Sequence, residues 1–428
     1  MIEEIYRLYK KSGVVSTDTR NIQDGCLFFA LKGDNFNGNT FAQDAIKAGA
    51  ASAIVDEEEF HTEGQTILVE SVLGTLQELA TFHRSKLNIP VIAVTGSNGK
   101  TTSKELINAV LSKKYNVAYT YGNLNNHIGV PITLLSVSEA HDIALIEMGD
   151  NHPREVALLC EFAQPDFGFV TNVGKDHLEG FGSFEKNILA KKEVFDYLET
   201  KNGTVFVDKS DELVSSMIPS HVEVVTYGIK EGFSCVTYQD SNPLVAFTDE
   251  LGKRVESNLF GEFNFKNIQL AYCIGKYFKV NLSDISDALS NYLPDNNRSQ
   301  VVKTGRNTLV MDAYNANPSS VEEAVNSFAD MDTDKPKWVV LGDMFELGSY
   351  SKEEHQNMAE LAVSKNFDAL ILIGENYSLT NQPQSAAVKI FPKKVDAELY
   401  IKKIAPEGAI ILLKGSRGMR LESLKPLF

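Results

Sequence analysis

The sequence predicts an α/β protein of three domains, and three observations carry that prediction. Its 428 residues exceed what one hydrophobic core organises, since domains run at roughly 100–200 residues. From about residue 83, short apolar runs alternate with segments of helical period, as in a parallel sheet covered on both faces. The rhythm breaks across a β-rich stretch at 222–260 and restarts near 300. The expected divisions are a small α/β domain at 1–82, a central parallel-sheet domain at 83–299, and a unit resembling a dinucleotide-binding fold at 300–428.

The opening MIEEIYRLYKKSG is amphipathic and charged, and lacks the apolar core of a secretory leader. In the first segment, CLFFAL (26–31) and ASAIV (51–55) read as strands, 41–49 as a helix, and LGTLQELATFHRS (73–85) as a helix leading out. In the second, VIAV (91–94) precedes a helix over 100–113 with apolar Leu106, Ile107, Val110 and Leu111. Strands follow at VAYT (117–120), DIALIEM (142–148), FGFVTNV (167–173) and TVFV (204–207), with helices over 184–199 and 265–279. The third repeats the alternation: TLVMDAY (308–314), helix 319–330, KWVVLGD (337–343), helix 352–366, ALILIG (369–374), helix 396–404 and AIILLKG (409–415). No G-x-G-x-x-G follows its first strand, so a bound dinucleotide is not supported.

A formal net charge of −16 repels nucleic acid and anionic lipid as general partners. Cys26, Cys160, Cys235 and Cys273 are widely spaced, which disfavours a zinc site or disulfide framework and fits a reducing cytosol. No apolar run approaches the roughly 18 residues of a membrane span. A cytoplasmic protein without membrane insertion is expected.

The chemistry begins at VIAVTGSNGKTT (91–102): a strand, a glycine-bearing turn and a helix ending the motif in Gly-Lys-Thr. That is the context of a phosphate-binding loop, although Val94 stands where G-x-x-x-x-G-K-[ST] wants glycine. Backbone N–H groups of the turn would face phosphates, Lys100 would reach the β/γ-phosphates, and Thr101 would ligate Mg2+. Glu147 ends the strand of ALIEMGDN, and reads either as a metal-ligating acid or as a solvated carboxylate. His177 lies just beyond a third strand, a ligand candidate that spacing alone does not decide. The lysines of ILAKKEVF (188–195) read, from local sequence, as solvated charges on a helix.

Together these pieces resemble the Mur ligase superfamily, the ATP-dependent amide ligases of peptidoglycan precursor synthesis, to which folylpolyglutamate synthase is related. The superfamily loop T-G-[ST]-x-G-K-[ST]-[ST] matches Thr95, Gly96, Ser97, Asn98, Gly99, Lys100, Thr101 and Thr102 throughout, which accounts for the missing glycine. NVGKDHLE (172–179), AKKE (190–193) and GEFNFKN (261–267) match further family segments. STDTR (16–20) is similar to a uridine-sugar motif, with Thr19 where Ser is commoner; MGDNHP carries Asp150 where Ala or Met is frequent, a departure read as not touching the chemistry. GNLNNHIGVPITLL (122–135), MDAYNANPSS (311–320), LGDMFELG (341–348) and KGSRGMRLE (414–422) resemble the branch that adds D-alanyl-D-alanine.

The resemblance implies a reaction in which ATP activates UDP-N-acetylmuramoyl-tripeptide as an acyl phosphate, which D-alanyl-D-alanine then attacks. It assigns ATP to the loop residues with Asn267 at the adenine and Arg298, Asp312 and Tyr314 across the domain junction. It assigns Ser16, Thr17 and Arg20 to the uridine diphosphate, Asn125 and Asn126 to the muramoyl peptide, and Asn315, Asn317 and Arg417 to the dipeptide. It implies two Mg2+ ions held by Thr101, Glu147, His177 and Lys191, the last as a CO2-derived carbamate, with Lys100, Glu147, His177 and Lys191 catalytic. The chain is expected to act as a monomer that closes about hinges at Leu87–Pro90 and Asn297–Val301. The rivals are the ligase adding the third peptide residue, a folylpolyglutamate synthase-like ligase, and a non-catalytic P-loop nucleotide-binding protein. STDTR argues against the second, and no N-K-x-D-type guanine reader supports a GTPase switch.

Overall fold

A computed structural model describes residues 1–381 and 386–428. The amphipathic start forms the helix Ile2–Ser12, which buries Ile5 and Tyr9 and ends on Gly13 in the left-handed conformation that glycine tolerates. Four short parallel strands follow, Val15–Ser16, Leu27–Phe29, Ser52–Val55 and Thr66–Leu68, joined edge to edge in chain order. The helix expected over 41–49 is shorter, a 3-10 turn at Gly38–Phe41 running into Ala42–Lys47. The helix Val72–Arg84 is capped by Ser71, whose hydroxyl accepts from Gly74 N–H. It is anchored to the next unit: His83 Nε2 lies 2.7 Å from the Val137 carbonyl, and the Arg84 guanidinium donates to the carbonyls of Ala163 and Gln164.

The middle sheet has seven parallel strands in the order Ser234–Cys235, Glu223–Gly228, Thr204–Asp208, Phe167–Val170, Val91–Thr95, Ile143–Glu147 and Val117–Tyr119. Every residue of Val91–Thr95 and Ile143–Glu147 is buried, which is why these strands read as unbroken apolar runs. Val91, Ala93, Ala144 and Ile146 face a core shared with Val72–Arg84, Glu155–Ala163 and Phe184–Thr200. Ile92, Val94, Ile143 and Leu145 face the opposite core, with Lys100–Leu111 and Phe263–Tyr277. After Val91–Thr95 the chain fills one side of that strand and then the other, so a crevice opens at the carboxyl ends of the central strands.

Among the described residues the last sheet has nine strands. Its parallel part runs Thr308–Asp312, Ile410–Lys414, Lys337–Gly342, Ala369–Ile373, Val388–Phe391. Against Thr308–Asp312 lie, antiparallel, Gln300–Lys303 and then Arg254–Phe260, Leu244–Thr248 and Thr237–Ser241. The β-rich stretch of the sequence therefore divides: Glu223–Gly228 extends the middle sheet, whereas 237–260 joins the C-terminal one. Pattern reading did not isolate the helices Gly129–Ser136, Glu155–Ala163 and Leu282–Asn291, nor the strands Gln300–Lys303 and Val388–Phe391. The strand expected over 167–173 stops at Val170, because the groups beyond it bond to the phosphate loop instead.

Candidate active site

A cleft of about 630 Å³ opens at the crevice, lined from the phosphate loop, from Asn123–His127, from Glu147–Asn151 and from the C-terminal unit at Arg298, Asp312–Asn317, Glu346 and Arg417. The loop geometry is held from both sides. Asn172 receives Ser97 N–H on its carbonyl and Asn98 N–H on its side-chain oxygen, at 3.0 and 2.9 Å. Gly96 has φ 135°, and a side chain there would overlap Thr171. Gly99, at φ 79°, opens the helix Lys100–Leu111, and a Cβ there would stand 2.7 Å from Asn267 Oδ1. The first N–H groups of that helix have no acceptor within it, and their dipoles favour an anion. Lys100 folds back to donate to the Gly96 and Ser97 carbonyls. Loss of hydration in the cleft, and then the charge of Lys191, lower its pKa from the ordinary lysine value.

Thr101 donates its hydroxyl to Glu147 Oε1 at 3.2 Å, and Asn125 donates to the same oxygen at 2.9 Å. Glu147 is buried and its Oε2 has no hydrogen-bond partner. Lys104, wholly buried, lies 3.6 Å from that oxygen and donates to the Thr120 carbonyl. The reading of Glu147 as a solvated carboxylate is therefore replaced by a buried acid beside the loop threonine.

The reading of the helix lysines as solvated holds for Lys192 and is corrected for Lys191. Lys192 is part-exposed and pairs with Asp196, four residues along its helix, but Lys191 is wholly buried. Its ammonium donates to both oxygens of Asp150, at 2.6 and 2.8 Å, and lies 3.6 Å from Asp176 Oδ2. It also stands 4.9 Å from the centre of the Phe181 ring. Asp150, taken as irrelevant to the chemistry, is thus the direct partner of Lys191. Asp176 accepts from Ser97 of the phosphate loop and from Asn187, one turn before Lys191. Burial opposes ionisation of Asp176, but Lys191 and Lys100 outweigh it and hold the carboxyl below the usual range.

His177, at φ 47°, presents Nδ1 to Glu346 Oε2 at 2.6 Å, and Glu179 N–H donates to the Glu346 carbonyl. More bonds cross the same junction. Asn317 donates to Asn98 Oδ1 at 2.8 Å, Ser319 Oγ accepts from Lys175 N–H, and Lys175 pairs with Glu354 at 2.7 Å. Asn317 has a second occupation as the capping residue of the helix Pro318–Asp330. Asp312 is bonded by Lys414 at 2.7 Å and by Ser299 N–H. Tyr314 is flanked by Arg298, at 3.8 Å over its ring, and by Arg417, which donates to its hydroxyl at 3.0 Å. The Asn315 carbonyl accepts from Lys414. Asn267 accepts from Ser103 and donates to Asn264, so it braces the loop helix where it lines the cleft.

Ser16, Thr17 and Arg20 do not line this cleft. Ser16 spends its hydroxyl on the turn, donating to the Asp18 carbonyl, and Arg20 is clasped by Asp18 on the surface. Asn126 caps the helix Gly129–Ser136 by accepting from Ile128 and Gly129 N–H. Among the described residues no three His, Cys, Asp or Glu side chains converge as a ready metal site. Asp150, Asp176, Glu346 and Lys414 were not among the expected site residues, although all lie inside the quoted segments MGDNHP, NVGKDHLE, LGDMFELG and KGSRGMRLE.

Three family models match in succession: "Mur ligase family, catalytic domain" at 13–95, "Mur ligase middle domain" at 94–275, and "Mur ligase, glutamate ligase domain" at 297–417. The UDP-N-acetylmuramoyl-tripeptide--D-alanyl-D-alanine ligase of Bacillus subtilis (strain 168) is 32% identical over 425 residues, covering 96% of this chain and 92% of the relative. The ligase of the same name from Escherichia coli (strain K12) is 32% identical over 421 residues, with the same coverage. Among solved structures, MurF from Acinetobacter baumannii superimposes with a TM-score of 0.86 at 27% identity, covering 96% of this chain and 92% of that one. MurF ligase from Thermotoga maritima in complex with ADP gives 0.83 at 26% identity, covering 97% and 96%. With a nucleotide loop of this form, three matched domains and relatives aligned over nearly its whole length, the chain belongs to the Mur ligase family.

Proposed function

We propose that the chain is an ATP-dependent amide ligase that joins D-alanyl-D-alanine to UDP-N-acetylmuramoyl-tripeptide, forming ADP and phosphate. The observation that carries this is one cleft walled by a phosphate loop on the middle unit and by Arg298, Tyr314 and Arg417 on the C-terminal unit, in a chain whose full-length relatives bear that name. A carboxylate acylates poorly because its leaving group is an oxide. A carboxylate oxygen therefore attacks the γ-phosphorus, and the bond from phosphorus to ADP breaks. The dipeptide amine then attacks the acyl carbon, loses a proton, and expels phosphate.

In this reading the three domains take the uridine diphosphate, the ATP and the dipeptide in chain order. The loop 95–102 cradles the phosphates, and Lys100 turns from its backbone carbonyls toward the migrating phosphoryl group. Mg2+ fits the Thr101–Glu147 pair: both offer hard oxygen donors, and the buried Glu147 Oε2 accepts no hydrogen bond, its nearest cation being Lys104 at 3.6 Å. When bound, that ion would neutralise charge developing on the phosphates. For a second Mg2+, His177 would offer Nε2, since its Nδ1 is oriented by Glu346. Asn267 serves the adenine, Arg298, Asp312 and Tyr314 the nucleotide across the junction, and Asn315, Asn317 and Arg417 the dipeptide. Asn125 and Asn126 serve the muramoyl peptide, and Ser16, Thr17 and Arg20 the uridine diphosphate. The carbamate that the resemblance assigns to Lys191 does not fit the residues around it: Asp150 and Asp176 already supply two buried carboxylates there, and no step is routed through it. A monomer working in the cytoplasm is the corresponding setting; among the described residues no helix is long and apolar enough to cross a membrane.

The test is ADP formation from ATP and UDP-muramoyl-tripeptide with D-alanyl-D-alanine as the acceptor. Turnover is expected with the dipeptide, and not with glutamate, or with a diamino acid offered to the UDP-muramoyl-dipeptide. Turnover in that last arm would move the assignment to the ligase adding the third residue. No ADP in any arm would end the ligase reading.

A further inference from the structure

We propose that Lys191 serves this chain as an unmodified ammonium locked by Asp150 and Asp176, and that the Asp150 carboxylate stands in the place of the carbamate. The inference rests on the ligase reading and specifies the chemistry of its site. Carbamate formation consumes the lone pair of Nζ: the ammonium loses a proton, nitrogen bonds the carbon of CO2, and a second proton leaves, so R–NH3+ and CO2 give R–NH–COO− and two protons. Here the ammonium donates to both oxygens of Asp150 and lies beside Asp176 Oδ2. Conversion would turn two buried carboxylates and one ammonium into three buried anions, an arrangement that desolvation and like charge both oppose.

Two neighbours point the same way. The Phe181 ring, 4.9 Å from Nζ, presents a face that attracts a cation and repels an anion. The ammonium also has work to do: it faces Asp176, whose other oxygen accepts from Ser97. Lys191 is thereby a positioning residue, connecting its helix to the phosphate loop through one carboxylate. The Asp150 carboxylate, held against Nζ through both its oxygens, already supplies an anion at this point and removes the need for CO2.

The test is carbon NMR of the intact protein in isotopically labelled bicarbonate, with ADP formation measured in parallel in CO2-stripped and bicarbonate-supplemented buffer. The wild-type chain is expected to show no protein-bound carbamate resonance and no change in rate. D150A is expected to gain the resonance and to lose activity several-fold in CO2-stripped buffer, with recovery on adding bicarbonate. D150N, which keeps the shape and removes the charge, is the second variant should D150A fold poorly. A carbamate resonance in the wild-type chain, or its absence from every folded Asp150 variant, would overturn the inference. The spectra need no turnover, so a failed ligase assay would leave this result readable.

Discussion

Glu147 has two sets of neighbours, and removing it separates them. On one side are Thr101 and Asn125; on the other is the wholly buried ammonium of Lys104. E147A should cost about 3 kcal/mol of stability, the scale of breaking a buried pair from one side, and should abolish turnover. E147Q also removes the anion facing Lys104, but should lose less stability than E147A, because its amide oxygen still accepts from Thr101 and Asn125, while Mg2+ dependence shifts to higher concentration. Thermal melts and Mg2+ titrations distinguish the two; equal melting temperatures would place the whole cost in the lost charge facing Lys104 and none in the hydrogen bonds from Thr101 and Asn125. At Asp18, the hydrogen bond from Arg20 lowers the pKa from 3.8 to about 2. A lowered carboxyl contributes above its unfolded value, and its contribution disappears only as pH falls through the folded one. Stability should therefore not fall through Asp18 between pH 6 and 4, as thermal melts of the wild-type chain and D18N across that range would read. Individual site residues were legible where their partners are near in sequence, as with Lys100, which bonds to Gly96 and Ser97 of its own loop. The burial of Lys191 was not, because Asp150 and Asp176 arrive from two other loops and only the fold brings them to that helix.

At the scale of elements, the strand, loop and helix of 91–111 are the most legible part of the chain. Their signals are local: an apolar run, glycines, and a helix with one apolar face. Gly99 meets two demands at once, a left-handed backbone and close approach to Asn267. G99A should lower nucleotide affinity at least about fivefold, since the strained turn and the displaced Asn267 together cost about 1–3 kcal/mol, measurable with a fluorescent ATP analogue. Unchanged affinity would mean that the loop adjusts freely. Elsewhere the sequence overextended strands, as at 167–173, because apolar character does not reveal where backbone groups leave a ladder for another loop. The short edge strands at 300–303 and 388–391 carry too few residues for a periodic signal.

At the scale of the molecule, the middle and C-terminal units are bonded directly through Asn98–Asn317, Lys175–Glu354 and His177–Glu346. These contacts hold a cleft whose walls come from both units, the geometry needed to keep water from an acyl phosphate. Small-angle scattering should show a larger radius of gyration for the E346A/E354A double variant than for the wild-type chain, with the difference vanishing when an ATP analogue and substrate are added. Equal radii without ligand would remove these bonds from the account of closure. The three-part organisation was legible from where the alternation of strands and helices stops and restarts. The ownership of 237–260 was not, since hydrophobic pattern does not say which of two neighbouring sheets a meander joins.

The nine-stranded sheet bears on how this protein can be taken apart. Its antiparallel margin is borrowed from chain that precedes the helix Phe263–Tyr277, a helix embedded in the other unit. A recombinant fragment starting at residue 300 would leave Gln300–Lys303 as a bare edge, prone to recruit strands from other molecules. A single protease nick between 293 and 299, by contrast, should leave the two pieces migrating together on gel filtration, because the strands of 237–260 in the first piece remain paired into the sheet of the second.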